Sequence, residues 1–265
     1  MAWSVAVAGK GGTGKTTLAA LLVRALREAG VRPVLAVDAD PNSSLAEALG
    51  VEPGTPLARI REAGARPEGS PEGGIGRGRA IEDEIQRAVV EAEGFDLVTM
   101  GRGEGPRCYC YVNTLLRQAL DGLAKNYAAV VVDNEAGMEH LSRRTTNDVD
   151  VLLVVTDATR PAVRAAGRIA ELSRELPVRI ARRAVVVNRV PAAGVGRDLE
   201  EVLSGLGLER LPDVPQDDAV ERRGAEGKDV FGLEAGVPAL AAVRRLLDVL
   251  QAVPAAAARC RKGGV

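Results

Sequence analysis

Short continuous runs of apolar residues alternate with stretches of helical spacing along this chain. The apolar runs predict strands at Trp3–Ala8, Pro33–Val37, Phe95–Met100, Tyr127–Val132, Val149–Val155, Ala184–Val187 and Leu208–Val214. Apolar residues three and four positions apart predict helices at Thr16–Ala29, Ile81–Glu93, Asn113–Lys125, Arg160–Leu176 and Pro238–Leu250.

The alternation of strand and helix predicts a doubly wound α/β fold. The strands are apolar throughout rather than at every second residue, which is typical of a parallel sheet covered on both faces. We therefore expect a single domain over residues 1–265, with a mostly parallel sheet and helices on both faces. Residues 51–80, rich in Gly, Pro, Arg and Glu, predict a surface loop with at most one short helix, and residues 254–265 predict a flexible tail.

The amino-acid composition limits which partners the protein is expected to bind and in which cellular compartment it is expected to occur. Of the 265 residues 46% are hydrophobic and 27% are charged, which excludes a disordered or fibrous chain. The net charge of −1 gives no general attraction to nucleic acid or to an anionic membrane, so neither is expected as a partner. No apolar run is long enough to span a bilayer, and the first residues lack a signal-peptide pattern. Three cysteines make no disulfide framework, so we expect a cytoplasmic protein.

A glycine-rich segment between the first predicted strand and helix fits the phosphate-loop pattern G-x-x-x-x-G-K-[ST]. Its glycines allow backbone N–H groups to surround phosphate oxygens, and the following helix adds the positive end of its dipole. The lysine of the pattern is expected to reach the β and γ phosphates, and Thr16 to place its hydroxyl on Mg²⁺. The expected nucleotide-binding residues are Gly11, Gly12, Thr13, Gly14, Lys15, Thr16 and Thr17.

A second lysine, Lys10, follows the first glycine of this loop. The run KGGTGKTT resembles the deviant Walker A motif of the MinD, ParA, ArsA and nitrogenase iron protein superfamily. The resemblance implies a P-loop ATPase that binds ATP or ADP. It also implies a homodimer in which Lys10 reaches the nucleotide of the other subunit, and this assigns Lys10 and Lys15 as catalytic residues.

Two carboxylates, Asp38 and Asp40, follow the second predicted strand. Carboxylates close to a triphosphate need Mg²⁺ or a proton-accepting role to offset the repulsion. The resemblance implies that Asp40 orients the attacking water and that Asp38 contacts Mg²⁺ through water or couples to a switch segment. The alternative for either residue is capping of a helix that begins nearby.

Two further strand ends carry candidate residues. Asp133 closes an apolar run and is expected to hold Mg²⁺ through water, and Gly137 to offer a backbone N–H to a γ-phosphate. Asn188 closes another run, and its amide can both donate to and accept from a purine edge. Guanine-specific NTPases carry an aspartate three residues after this asparagine, whereas this chain has Pro191, which favours ATP over GTP. The alternatives are a helix-capping role for Asp133 and a turn role for Asn188.

Cys108 and Cys110 form a C-x-C pair after the predicted strand Phe95–Met100. Two thiolates provide half of the tetrahedral set that thiolate metal sites usually need, and the chain contains no second pair. Twofold symmetry supplies the simplest completion, with two pairs meeting across a homodimer. The alternative is a pair of buried small residues, since unpaired cysteine is commonly buried.

Two longer segments make the resemblance more specific. EGPRCYCYVN (residues 104–113) and VDNEAGMEHLSRR (residues 132–144) resemble the carbon monoxide dehydrogenase accessory ATPases of the CooC type. This resemblance implies a Mg²⁺-dependent ATPase acting as a metallochaperone. It would carry Ni²⁺, or Zn²⁺ in vitro, on the two C-x-C pairs, and its client would be a Ni–Fe–S enzyme such as carbon monoxide dehydrogenase or acetyl-CoA synthase.

Two other functions stay open at this point. Four thiolates across a dimer could hold an Fe–S cluster for ATP-dependent electron transfer, although residues 133–144 contain no cysteine. A ParA- or MinD-type positioning ATPase would need a basic stripe or an amphipathic tail. Residues 251–265 contain a proline, a run of alanines and three basic residues.

Overall fold

The structure is a computed structural model, and it describes residues 2–40, 44–64, 82–101, 121–134, 148–176 and 178–251. Within these residues eight strands form one sheet in the order β3-β4-β2-β5-β1-β6-β7-β8. Every neighbouring pair is parallel except β3 and β4. The strands are β1 Trp3–Gly9, β2 Val34–Asp38, β3 Val90–Ala92, β4 Phe95–Thr99, β5 Ala129–Asp133, β6 Asp148–Asp157, β7 Arg179–Asn188 and β8 Glu209–Arg210.

Helices connect most of the parallel strands and pack on the sheet. They are α1 Lys15–Glu28, α2 Ser44–Leu49, α3 Leu57–Gly64, α4 Arg160–Glu175, α5 Arg197–Ser204, α6 Asp218–Ala225 and α7 Pro238–Gln251. Residues 82–88 and 121–124 are also helical, and Val230–Gly232 forms a 3₁₀ turn.

The central strand β1 shows that both faces of the sheet are covered. Val5 and Val7 belong to a core cluster with the apolar residues of α1 and α7, whereas Ala6 and Ala8 pack with those of α4. Alternate residues of a strand point to opposite faces, so α1 and α7 lie on one face and α4 on the other. The doubly wound α/β fold expected from the sequence is confirmed.

The predicted helix Ile81–Glu93 was wrong at its C-terminal end. The helix ends at residue 88, and Val90–Ala92 pair antiparallel with Phe95–Leu97 as a hairpin. Gly94 forms the turn at φ 85°, a conformation that other residues rarely adopt. The apolar residues of this segment fit both the spacing of a helix and the alternation of a strand. The position of the turn glycine, Gly94, favours a strand at Val90–Ala92.

Other boundaries also differ from the prediction. The expected strand Leu208–Val214 contains only the two residues of β8, and helices α5 and α6 were not predicted at all. Of the predicted helix Asn113–Lys125, only residues 121–124 are described as helical and residues 113–120 lie outside the described residues. Within the expected loop 51–80, α3 is the short helix that the sequence allowed, and residues 65–80 are not described.

One side chain, Asp217, fixes the start of two helices. Asp217 Oδ1 accepts a 3.0 Å hydrogen bond from the Ala219 N–H in the first turn of α6. Its Oδ2 accepts another of 3.0 Å from the Ala239 N–H in the first turn of α7. These N–H groups have no acceptor within their own helices, so one carboxylate satisfies both and joins the two helices to the loop after β8.

Replacing Asp217 with Ala should therefore destabilise the fold. We expect the free energy of unfolding to fall by about 1–3 kcal/mol, because two helix ends lose their acceptor together. Urea unfolding followed by circular dichroism measures the change. Asp218→Ala is the matched control, since Asp218 is the exposed neighbouring residue in the same helical turn. Equal destabilisation by the two substitutions would contradict the double-capping role.

Candidate functional site

The carboxyl ends of the central strands bring the predicted polar residues together. β2 and β5 are adjacent and parallel, and their register pairs Asp38 directly with Asp133. β1 lies on the other side of β5, and its last residue, Gly9, leads into the glycine-rich loop. The phosphate loop and two predicted acidic residues thus share one edge of the sheet, where α/β folds bind their ligands.

Glycine is favoured in the loop either by the backbone conformation or by the close approach of neighbouring atoms. Gly12 and Gly14 have φ values of 85° and 83°. A Cβ on Gly14 would lie 2.5 Å from Asn188 Nδ2, and a Cβ on Gly9 would overlap the carbonyl oxygen of Val155. The loop backbone is therefore closely packed at Gly9, against the end of β6, and at Gly14, against Asn188 at the end of β7, whereas Gly12 between them is exposed.

The two lysines of the loop differ in exposure. Lys15 is 8% exposed, and its Nζ donates to the Lys10 carbonyl oxygen at 3.3 Å. The Thr13 hydroxyl donates to the same oxygen at 2.9 Å. The Lys10 residue is exposed to solvent. Lys15 therefore lies inside its own loop, whereas Lys10 lies on the protein surface next to it.

Thr16 connects the first turn of α1 to the acidic strand ends. Its hydroxyl donates a 2.6 Å hydrogen bond to Asp133 Oδ2 and lies 3.5 Å from the Ser44 hydroxyl at the start of α2. Asp38 is fully buried and accepts from the Leu45 N–H at 2.9 Å and from the Asp40 N–H at 3.0 Å. The alternative role of Asp38, helix capping, thus corresponds to an observed contact, because its carboxylate accepts a hydrogen bond from the first turn of α2.

The chemistry of this donor set fits Mg²⁺. Asp133 Oδ1 and Asn134 Oδ1 are buried acceptors that have no hydrogen-bond partner. Mg²⁺ prefers oxygen ligands and usually takes one or two protein side chains together with water and phosphate oxygens. Thr16 and Asp133 supply a hydroxyl and a carboxylate of that kind. No cluster of three or more His, Cys, Asp or Glu side chains that could hold a metal occurs among the described residues.

Burial raises the pKa values of Asp38 and Asp133 above those of ordinary aspartates. Burial raises the pKa of Asp133 to about 7, the Thr16 hydrogen bond opposes this, and the Asp38 carboxylate adds to it. Burial likewise raises the pKa of Asp38 to about 6, against the hydrogen bonds from the Leu45 and Asp40 N–H groups. Two carboxylates at paired positions in a buried environment cannot easily ionise together without a cation.

These shifts predict that the metal-free protein loses stability as the pH rises from about 4 to 7. In this interval the folded chain retains protons that the unfolded chain releases, so the free energy of unfolding falls with increasing pH. We expect a decrease of several kcal/mol, since each unit of pKa shift corresponds to about 1.4 kcal/mol. Urea unfolding in a chelating buffer at several pH values measures it.

Asp133→Asn should flatten this dependence, because asparagine stays neutral throughout. The matched control is Asp148→Asn, which removes an exposed carboxylate at the start of β6. It should leave the slope of the wild type unchanged. A wild-type stability that rises between pH 4 and 7 would contradict the assignment.

A cleft of about 400 Å³ lies beside the first turns of α1. Thr17 and Leu18 line one wall, Asn188 and Arg189 another, and Pro215 lies on the segment that follows β8. Cavities of this size hold small organic ligands such as a nucleoside. Asn188 is 7% exposed, and its Nδ2 donates to the Thr13 carbonyl oxygen at 2.9 Å. Its amide nitrogen is therefore engaged with the phosphate loop, and its role towards a base stays a prediction.

Several predicted site residues cannot be placed. Cys108, Cys110 and Gly137 lie outside the described residues, as does the segment 254–265. Asp40 is partly exposed and lies two residues beyond the end of β2. Within the described ranges, no helix is long and apolar enough to cross a membrane.

The sequence did not single out other residues that the structure places here. Asn134 donates its side-chain amide to the Val7 carbonyl oxygen at 2.9 Å, which joins the end of β5 to β1. Thr99 at the end of β4 is buried, with a hydroxyl that has no partner. Arg189 donates to the Gly12 carbonyl oxygen at 3.0 Å. The sequence signal that could have indicated two of these residues is their position in the chain. Asn134 and Arg189 directly follow the strand-end residues Asp133 and Asn188, which were predicted to belong to the site.

The fold and this site define an α/β nucleotide-binding protein of the P-loop class. The chain matches the CbiA family, the CobQ/CobB/MinD/ParA nucleotide binding domain, over residues 4–230. It belongs to this family.

Relatives in sequence agree with this family. An uncharacterized ATP-binding protein of Methanocaldococcus jannaschii is 40% identical over 235 residues, which cover 86% of this chain and 90% of that protein. The carbon monoxide dehydrogenase accessory protein CooC of Rhodospirillum rubrum is 34% identical over 189 residues, which cover 66% of this chain and 70% of that protein. The chain is therefore an ATP-binding, MinD/ParA-like protein.

Solved structures agree on the fold. The MinD cell division protein of Aquifex aeolicus superposes with a TM-score of 0.70 at 22% identity, covering 95% of this chain and 97% of that one. The septum site-determining protein MinD of Pyrococcus horikoshii, complexed with Mg-ADP, gives 0.69 at 19% identity, covering 96% and 98%. At this identity the likeness concerns the fold alone.

Proposed function

We propose that this protein is an ATP-dependent metallochaperone that hydrolyses ATP to drive nickel insertion into a Ni–Fe–S enzyme. The observation that carries the proposal is the coexistence of two features in one chain. These are the 34% identity to an accessory protein of carbon monoxide dehydrogenase and the Cys108-x-Cys110 pair. The client is carbon monoxide dehydrogenase or acetyl-CoA synthase.

ATP binds at the sheet edge described above. The N–H groups of residues 11–17 surround the phosphates, and Lys15 neutralises the β and γ phosphates from inside the loop. Asn188 and the cleft of about 400 Å³ take the adenine base. This part of the proposal is supported by the burial of Lys15 and by the tight enclosure of Gly14.

Hydrolysis depends on the acidic residues and on a second subunit. Thr16 and Asp133 would hold Mg²⁺, which when bound offsets the charge of the phosphates. Asp40 orients the attacking water, Asp38 couples the site to α2, and Gly137 offers a backbone N–H to the γ-phosphate. Lys10 stabilises negative charge on the nucleotide of the partner subunit, as an arginine finger does. The solvent exposure of Lys10 supports this role, since a lysine that acts across a dimer must leave its own loop.

Nickel is the cargo of this cycle. Two Cys108-x-Cys110 pairs meeting across the homodimer supply four thiolates, a set that suits soft and borderline divalent metals. Because nucleotide binding and metal binding then both require the same dimer, each changes the affinity for the other. Hydrolysis separates the two pairs and releases the metal to the client.

Mixed dimers test whether Lys10 acts on the other subunit. Lys10→Ala and Asp40→Ala should each lower the hydrolysis rate by about 100-fold or more. A mixed dimer contains one Lys10→Ala subunit and one Asp40→Ala subunit. If Lys10 acts across the dimer, the site of the Lys10→Ala subunit has its own Asp40 and receives Lys10 from the other subunit, whereas the second site lacks both residues. Two different affinity tags allow purification of the mixed dimer, and we expect about half of the wild-type rate.

The matched control pairs a wild-type subunit with a subunit that carries both substitutions. If Lys10 acts across the dimer, each site in this control lacks one of the two residues and the rate stays low. An active control together with an inactive mixed dimer would show that Lys10 acts within its own subunit, and would overturn this part of the proposal.

Metal analysis tests the cysteine pair. After loading with Ni²⁺ or Zn²⁺ and desalting, the wild type should retain about one metal per dimer by mass spectrometry, and Cys108→Ala/Cys110→Ala should retain none. Cys260→Ala is the matched control, because it removes the third cysteine and should retain metal like the wild type. Equal retention by the wild type and the double variant would refute the proposed metal site.

A further inference from the structure

Arg189 has an unusual backbone conformation for an arginine. Its φ is 54°, and it is the single non-glycine residue with positive φ among those described. Side chains other than glycine are strained in this region, and such strain persists only where the surroundings impose it. Arg189 directly follows the last residue of β7, at the edge of the sheet where the phosphate loop lies.

The neighbouring chain holds this conformation in place. The Val190 N–H donates to the Val214 carbonyl oxygen at 3.0 Å, and the Val190 carbonyl oxygen accepts from the Gln216 N–H at 2.9 Å. Both the N–H and the C=O group of Val190 are thus hydrogen-bonded to the segment after β8. Arg189 must turn between this fixed residue and the end of β7, and the turn sends its side chain over the phosphate loop.

Two consecutive side chains then hold two consecutive carbonyl groups of the loop. Asn188 Nδ2 donates to the Thr13 carbonyl oxygen at 2.9 Å, and Arg189 Nη1 donates to the Gly12 carbonyl oxygen at 3.0 Å. A Cβ on Gly14 would lie 2.5 Å from Asn188 Nδ2 and 3.6 Å from Arg189 Nε. The two side chains therefore fill the space beside Gly14.

Fixing the Gly12 carbonyl also fixes an N–H group. The C=O of one residue and the N–H of the next point in opposite directions across a trans peptide bond. With its oxygen held by Arg189, this peptide directs the Thr13 N–H towards the Lys10 carbonyl oxygen, to which it donates a hydrogen bond of 3.4 Å. A phosphate oxygen in the loop would take the place of the Lys10 carbonyl as the acceptor of this long hydrogen bond, because the backbone N–H groups of such loops donate to phosphates.

We propose that Arg189 is a positioning residue for the nucleotide phosphates, which acts by holding the Gly12–Thr13 peptide of the phosphate loop. The strained turn is kept because it places the guanidinium over the loop. The inference rests on the ATP binding that the family establishes and is independent of nickel. Its failure would therefore leave the metal hypothesis untouched.

The test uses Arg189→Gly, which removes the side chain and relieves the strained φ in one step. We expect the affinity for Mg-ADP, measured by titration calorimetry, to fall by about tenfold. The melting temperature of the nucleotide-free protein should stay equal or rise, since glycine accepts this conformation. In ATP hydrolysis the change should appear mainly in KM. Arg189→Lys keeps a donor and should recover part of the affinity.

The matched control is Arg179→Ala, which removes an exposed arginine at the opposite end of β7 and should bind Mg-ADP like the wild type. Wild-type affinity in Arg189→Gly would overturn the proposal. So would a lowered melting temperature of nucleotide-free Arg189→Gly, because Arg189 would then serve the stability of the fold rather than the loop.

Discussion

The hydrogen bond from the Thr16 hydroxyl to the Asp133 carboxylate is the interaction on which the site depends. It joins the first turn of α1 to the end of β5, two elements 117 residues apart in the chain. It is also the hydrogen bond that lowers the pKa of a carboxylate whose burial raises it. The remaining carboxylate oxygen, Asp133 Oδ1, is buried without a partner. A buried acceptor in this condition is costly, and a cation beside it offsets the cost.

The second carboxylate extends this constraint to α2. Asp38 lies opposite Asp133 in the sheet, and its own oxygens accept from the Leu45 and Asp40 N–H groups. A negative charge on Asp133 raises the cost of ionising Asp38, and a cation beside Asp133 offsets this cost. An ionised Asp38 holds the start of α2 more strongly than a neutral one. A Mg²⁺ ion at the proposed site would therefore influence α2 and Asp40 through the two hydrogen bonds that Asp38 accepts. We regard this as the physical basis of the switch role proposed for Asp38.

The sequence predicted most of the sheet and the placement of the phosphate loop, because those features are encoded locally. A continuous apolar run specifies a buried strand, and the glycine-rich motif specifies its own turn. The sequence did not predict the strand β3 or the capping of two helices by Asp217. β3 exists because it pairs with β4, and Asp217 serves α7 across 22 residues. The role of Arg189 was likewise hidden, since its partner Gly12 lies 177 residues away. Long-range contacts of this kind leave no periodic signal in the sequence.

The contrast between the two lysines supports the proposed dimer, in which one loop would serve two subunits. Lys15 is buried, and its amine contacts the Lys10 carbonyl, which places it inside its own loop. The carbonyl of Lys10 belongs to the interior of that loop, whereas its side chain belongs to the exposed surface. In the proposed dimer, the same residue would shape one site through its backbone and reach the other site through its ammonium group. A change in the loop backbone on nucleotide binding would move that ammonium group too, which would couple the occupancy of one site to the contacts that a partner subunit can make.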